Sequence, residues 1–126
     1  NLFADVEAND MGLIVKRPIG NAVWGADADP RPYEHIPEYT MEYTRRAGVM
    51  GEAGLLEDDP NDRIRLALGF TFAHPEVDVT IVGTQRPHHM KSNLEMVSEP
   101  LGVTEATVSD LHARWDKFAV GWEQRG

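Results

Sequence analysis

The sequence contains no cysteine, which excludes disulfides, thiolate nucleophiles and thiolate metal sites. Basic residues are also scarce: 12 Lys and Arg stand against 21 Asp and Glu, so the formal net charge is −9 at pH 7. This balance disfavours a nucleic acid or an anionic membrane surface as a partner, although a local basic cluster remains compatible with it.

Long apolar segments are missing as well. The apolar run that starts at Gly12 is stopped by Lys16 and Arg17, far short of the roughly 20 residues of a membrane span. The amino-terminal residues do not form the basic and apolar regions of a signal peptide. We therefore expect a cytoplasmic protein with no membrane partner. The chain begins with Asn1 instead of methionine, which leaves processing, trimming or a longer parent protein open.

What remains is an ordinary globular composition. The 126 residues are 41% hydrophobic and 26% charged, which predicts one domain over 1–126 with its own core. Apolar spacing predicts helices over 2–10, 38–48 and 87–97, with Gly12 as the stop of the first, and strands over 13–15 and 77–83. It also predicts a last helix whose apolar stripe is formed by Val108, Leu111, Trp115, Phe118 and Trp122. The proline-rich segment 20–37 is predicted to be a loop of functional length.

The segment 64–73 fits two structures. Its apolar residues alternate as in a strand, yet they also follow the i,i+4 spacing of a helix. The acidic residues Glu57, Asp58 and Asp59 with Pro60 resemble a helix entrance, and Pro75 follows the segment. These flanking signals favour a helix.

The two predicted strands are separated by helical sequence, so any pairing between them is expected to be parallel. Parallel strands occur almost only in sheets that are covered on both faces, and a two-stranded parallel sheet with open edges makes a poor core. The sequence therefore predicts an incomplete parallel sheet, completed by missing residues or by another copy of the chain.

Two strand ends carry candidate binding residues. After the second strand, Gly83, Thr84 and Gln85 lead into a helix whose first backbone amides attract anions, and positive charge from Arg86 and Lys91 lies nearby. The alternative for this segment is an ordinary capped helix on the surface. The adjacent His88 and His89 are not expected to bind a metal, because neighbouring residues on a helix point about 100° apart and no third ligand has a suitable spacing.

The end of the first strand is the second candidate. Gly20 and Asn21 would let the backbone approach a pyrophosphate, and Lys16 and Arg17 add positive charge. The alternative here is a strand terminus with solvated basic residues.

Four strings in order, at 12–21, 64–75, 81–84 and 87–94, together with a Trp-containing end, resemble the carboxyl-terminal part of the aldo-keto reductases. The resemblance covers nearly the whole chain. It implies the last two strands, with associated helices, of a (β/α)8 TIM barrel, and it implies that 64–73 is helical. Members of this family reduce aldehydes and ketones with NADPH, without a Rossmann fold.

The resemblance also assigns cofactor contacts. Ile19, Gly20 and Asn21 match the loop that covers the pyrophosphate, while Gly83, Thr84 and Gln85 match the loop that meets the 2′-phosphate of the adenosine. His89 occupies a position that is often arginine, and Asn93 matches the asparagine that hydrogen-bonds the adenine. Gly83 and Ser92 also depart from the family pattern, since Gly83 stands where many members have a lysine and Ser92 where a glutamate is common. We expect Arg86 to substitute for the missing lysine, and the resemblance favours NADP over NAD.

The family's catalytic Asp, Tyr, Lys and His precede everything in this chain, so no catalytic residue is predicted here. None of Tyr33, Tyr39 and Tyr43 matches the proton donor. The chain alone is expected to be inactive, and a carbonyl substrate is expected only if the barrel is completed. The alternative function is a non-catalytic half-barrel module that self-associates. In both cases the expected partner is another copy or a complementary half-barrel.

Overall fold

The computed structural model describes residues 2–20, 23, 38–56, 62–84 and 86–123. Within them the chain is a mixed α/β protein of five helices and two short strands, in the predicted order. The elements are α1 (Leu2–Ala8), β1 (Ile14–Lys16), α2 (Glu38–Gly51), α3 (Arg63–Phe72), β2 (Val79–Ile81), α4 (Pro87–Val97) and α5 (Glu105–Phe118). None of the described helices has the length and apolar character needed to cross a bilayer.

The two strands form a parallel pair, as predicted. Ile14 lies opposite Val79, and Lys16 lies opposite Ile81. β2 is shorter than the predicted range 77–83, and β1 is shifted one residue towards the carboxyl terminus from 13–15. Just before β1, the amide of Leu13 donates to the carboxylate of Asp78 at 2.7 Å, and the carbonyl of Leu13 accepts the amides of Asp78 and Val79 at 3.1 and 3.3 Å.

One face of the sheet is open to solvent. Ile14, Val79 and Ile81 share this face, because alternate residues of a strand point to the same side, and their exposed fractions are 61%, 49% and 58%. The buried apolar side chains come instead mostly from the helices and loops: Val6, Val23, Leu56, Leu66, Leu68 and Met96. The exposed face agrees with an α/β fold that is only partly present.

α1 ends earlier than predicted, and Gly12 is not its stop. Asp10 adopts a left-handed conformation with a φ of 51°, and the amide of Met11 donates to the carbonyl of Val6 at 3.0 Å. The amide of Asp10 also donates to the carbonyl of Glu7 at 3.3 Å. This pair of bonds is a Schellman motif with aspartate in the position that usually holds glycine.

α3 is helical, as the flanking signals favoured, but its cap differs from the prediction. The N-cap is Asp62, whose carboxylate accepts the amides of Ile64 and Arg65 at 2.9 and 3.2 Å. The predicted acidic entrance at 57–60 lies outside the described residues. A cap must lie within two or three residues of the amides that it accepts, and Asp62 meets that condition.

The apolar stripe predicted for the last helix is only partly correct. The buried positions of α5 are Thr107 and Arg114, whereas Trp115 remains 49% exposed. The helix ends at Phe118, so Trp122 lies beyond it, and its ring meets that of Trp115 edge-on with centroids 5.6 Å apart. Periodicity therefore located the helix but not the residues that it buries.

Arg114 joins α5 to the carboxyl end of α2. Its guanidinium donates to the carboxylate of Asp110 at 2.8 and 3.0 Å and to the carbonyls of Met50, Gly54 and Leu55 at 3.3, 2.8 and 3.2 Å. The hydrogen bonds from Arg114 lower the pKa of the Asp110 carboxyl. We call this set of contacts the Arg114 clasp. It joins α5 to the last turn of α2 and to the carbonyls of Gly54 and Leu55, which follow that helix.

A second polar cluster ties α2 to the end of the described chain. Glu42 accepts from Arg45 and Arg46, and these hydrogen bonds lower the pKa of its carboxyl to about 2. Arg46 also donates to the carbonyl of Glu123 at 2.8 Å, and its guanidinium carbon lies 5.1 Å from the centre of the Trp122 ring. Charge and cation–π contacts thus hold the carboxyl-terminal segment on α2.

Candidate functional site

The candidate site is the end of the sheet at which both strands have their carboxyl ends, which we call the sheet edge. Because β1 and β2 run parallel, the segments that follow Lys16 and Ile81 leave the sheet at the same edge. The two predicted binding loops therefore start side by side, although they are far apart in sequence. Of the nine predicted cofactor-binding residues, Asn21 and Gln85 lie outside the described residues.

The loop after β1 contains two left-handed residues. Arg17 has a φ of 61° and Gly20 a φ of 58°, and the amide of Gly20 donates to the carbonyl of Arg17 at 3.0 Å. This conformation is unusual for arginine and still more so before Pro18, because a proline disfavours helical conformations in the preceding residue. Residues held in such conformations concentrate at binding and active sites, so the turn supports a functional interpretation of this loop.

Gly20 is required in this loop for two reasons. Its positive φ favours glycine, and a Cβ placed there would lie 3.1 Å from Cγ2 of the buried Val23. Ile19, the neighbouring predicted residue, is half-buried. Residues 17–20 therefore lie in a defined conformation, with Gly20 close to Val23.

The loop after β2 is organised by Thr84. Its hydroxyl oxygen accepts the amide of Arg86 at 3.1 Å, and the hydroxyl lies 3.4 Å from the carbonyl of Arg86, to which it donates. Gly83 is exposed, and a Cβ there would meet nothing within 4 Å. The hydroxyl of Thr84 thus shapes the turn, so any ligand contact from this residue competes with the local bonds.

α4 begins directly after this turn, over the same range, 87–97, that the sequence predicts. Arg86 is its N-cap residue, no side chain caps the helix there, and Pro87 occupies the first turn. Pro87 has no amide hydrogen and the amide of His89 donates to the carbonyl of Arg86 at 3.0 Å, so the attraction for an anion here comes mainly from the positive end of the helix dipole. This end is the part of the edge that fits a phosphate group best.

Positive charge and imidazole rings surround this helix end. Arg86 and His89 are exposed, and the rings of His88 and His89 meet edge-on with centroids 4.4 Å apart. Lys91 pairs with Glu95 at 3.7 Å, and both side chains are largely solvated, so the pair adds little stability. The described groups at the start of α4 are therefore mostly cationic or neutral donors, in contrast to the acidic chain as a whole.

Asn93 lies one turn beyond His89 on α4 and is half-buried. Residues four apart on a helix share a face, so the amide and the imidazole are presented together. The described groups fit an anionic nucleotide: an arginine and the helix dipole for phosphate, and an asparagine amide for a base. Binding and orientation are the chemistry that these described groups can supply.

Sequence reasoning missed one polar cluster completely. His74 and His112 meet near the end of α3, although 38 positions separate them in the chain. Nothing in the pattern around either residue indicates this contact, because it depends on how α3 packs near α5. The buried Arg114 was missed for the same reason, since helical periodicity assigns an arginine to the solvent side.

No protein-family model, curated protein or solved structure matches this chain. The sheet edge and its residues are consequently the basis for any functional conclusion.

Proposed function

We propose that this chain is the cofactor-binding, carboxyl-terminal part of an aldo-keto reductase-like oxidoreductase, which reduces aldehydes or ketones with NADPH once the rest of a (β/α)8 barrel completes it. The observation that carries this proposal is the parallel pairing of β1 and β2, since it brings the two predicted binding loops to one edge. In parallel α/β folds, ligands bind beyond the carboxyl ends of the strands.

Each loop has a separate role in this proposal. Ile19, Gly20 and Asn21 cover the pyrophosphate, and the turn fixed by Arg17 holds that loop in place. Gly83, Thr84, Gln85, Arg86 and His89 surround the 2′-phosphate at the start of α4, and Asn93 binds the adenine. NADPH, when bound, supplies the hydride. The residues of this chain bind and orient it, while the acid that protonates the carbonyl oxygen comes from the completing segment.

The test is a calorimetric titration of the 126-residue protein with NADPH and with NADH at the same ionic strength. We expect NADPH to bind more tightly, because a charge-assisted contact to the 2′-phosphate is available only in NADPH. Arg86→Ala should weaken NADPH binding by about tenfold or more, corresponding to ~1.4 kcal/mol, and change NADH binding little.

Lys117→Ala is the matched control, because it removes one positive charge from α5 instead of from the start of α4. Equal losses for both cofactors in the Arg86 variant would remove its role at the 2′-phosphate. If neither cofactor bound the unaltered protein, the proposal would be abandoned.

A second candidate is a non-catalytic half-barrel module that self-associates. The open face of the sheet favours it, because Ile14, Val79 and Ile81 are exposed apolar residues on adjacent strands. Ile81→Lys should then shift the protein from oligomer to monomer in sedimentation experiments, without loss of helical circular dichroism. An unaltered protein that is monomeric at micromolar concentration would exclude this candidate.

A further inference from the structure

A pair of histidines lies where the end of α3 meets α5. His74 follows α3 and is half-buried, whereas His112 lies within α5 and is exposed. Their Nε2 atoms are 3.3 Å apart, and Nδ1 of His74 lies 2.8 Å from the carbonyl oxygen of Phe70. The function proposed above uses neither residue.

The contact with Phe70 fixes the tautomer of His74. A carbonyl oxygen only accepts hydrogen bonds, so Nδ1 of His74 carries the proton and Nε2 of the neutral ring carries the lone pair. Without a metal, the Nε2–H group of His112 donates to that lone pair. An imidazole that donates Nδ1–H to a backbone carbonyl and presents Nε2 has the arrangement of a metal-binding histidine.

We propose that His74 and His112 bind a transition-metal ion that prefers imidazole ligands, such as Zn²⁺, and that the ion links α3 to α5. Zn–N bonds of about 2.0–2.1 Å in tetrahedral geometry place two ligand nitrogens about 3.3 Å apart. The two Nε2 atoms already have this separation. On binding, the proton of His112 moves from Nε2 to Nδ1 through solvent, so both Nε2 lone pairs face the ion.

Aromatic rings hold the pair in place. The Phe70 ring centre lies 5.0 Å from that of His74 and 5.4 Å from that of His112, and the Phe3 ring lies 5.4 Å from His74. Packed rings reduce the rotamer freedom that a ligand would otherwise have to restrict. No group of three or more His, Cys, Asp or Glu suited to a metal occurs among the described residues, so water takes the remaining positions. The site is therefore open and exchanges its metal readily.

The experiment is thermal unfolding of the metal-free, full-length chain at about pH 7.5, above the ordinary histidine pKa of about 6.5, with increasing ZnCl2. The midpoint should rise with Zn²⁺ concentration, because a ligand that binds only the folded state stabilises it. Mg²⁺ at the same concentrations should have no effect, since it prefers oxygen ligands. The imidazole NMR signals of His74 and His112 should shift during the Zn²⁺ titration.

His112→Gln is the decisive variant. Its side-chain amide can still donate to Nε2 of His74, yet it offers no imidazole, so the Zn²⁺-dependent shift should be lost while the fold is retained. The double variant His88→Ala/His89→Ala is the control, because it removes the other histidine pair and should keep the shift. A Zn²⁺ response that survived His112→Gln, or that vanished in the double variant, would overturn the proposal. The proposal would also be overturned if Zn²⁺ changed neither the melting midpoint of the unaltered protein nor the NMR signals of His74 and His112.

Discussion

The α2–α5 contact and the two-stranded sheet both join distant parts of the chain. The first buries the side chain that forms it, whereas the second leaves one apolar face exposed. In the Arg114 clasp, the buried guanidinium forms an ion pair with Asp110 and donates hydrogen bonds to three backbone carbonyls. No buried side-chain nitrogen or oxygen among the described residues lacks a hydrogen-bond partner. The sheet, in contrast, leaves Ile14 and Ile81 more than half exposed.

The two contacts differ in chemistry as well as in burial, although exposed apolar side chains also occur on the helices, at Leu2, Met41 and Leu94. The hydrogen bonds of the clasp all form between groups of this one chain, so they do not depend on a covering surface. A sheet face needs a covering layer, because apolar side chains gain stability only when water is removed from them. The clasp is therefore expected to form in the chain by itself, whereas the apolar face of the sheet gains stability only when another surface covers it.

Replacing Arg114 should produce the largest effect. Arg114→Met keeps much of the length and apolar volume but removes every hydrogen bond of the clasp, so the free energy of unfolding should fall by about 3 kcal/mol. Urea denaturation followed by circular dichroism measures this change. Lys117→Met removes an exposed charge from the same helix and should change stability by less than about 0.5 kcal/mol. Similar losses in both variants would contradict a specific role for the clasp.

Two glycine variants test how closely each region is packed. A Cβ at Gly69 in α3 would overlap Cγ2 of Val103 and lie 2.9 Å from its Cβ, so Gly69→Ala should destabilise the protein by about 1–3 kcal/mol. In α2, a Cβ at Gly48 meets nothing within 4 Å, so Gly48→Ala should stabilise the helix by up to about 1 kcal/mol. Thermal melting compares the two. A Gly69→Ala variant that melts no lower than the unaltered protein would show that α3 does not pack against Val103 as described.

The smallest expected effect is the loss of stability at low pH that comes from protonation of Glu42. The pKa of Glu42 is lowered to about 2 from 4.5, first by the hydrogen bond from Arg45 and then by that from Arg46. Its contribution to stability is therefore complete above about pH 4.5 and is lost as the pH falls towards 2. The stability difference between the unaltered protein and Glu42→Gln should narrow over this interval. A difference that stayed constant from pH 6 to pH 2.5 would exclude the ionised carboxylate as its cause.

Much of the fold was predictable because it depends on local signals. The bounds of α4 are fixed by Pro87 at its start, and parallel pairing follows from the helical sequence between the strands. The cap of α3 was assigned to the wrong acidic residues, because several carboxylates precede that helix and only geometry selects Asp62. The burial of Arg114 could not be predicted, since it depends on where the end of α2 lies.

The candidate site was predictable to a similar extent. The sequence placed Gly20 and Gly83 at two strand ends, and parallel pairing brings these ends to one edge. The left-handed Arg17 was not foreseen, because the sequence before a proline favours an extended conformation. The local bonds of Thr84 were also missed, since a hydroxyl in a turn has several possible partners. The assignment of these residues to a nucleotide stays a prediction.

The order of contacts along the chain has one more consequence. The pair of Ile14 with Val79 and the contact of Gly54 with Arg114 are interleaved, since each begins before the other ends. A single cut between 56 and 62 would thus give two pieces, each holding one strand and one side of the clasp. Both contacts join one piece to the other, so we expect the two pieces to remain bound to each other after the backbone is broken.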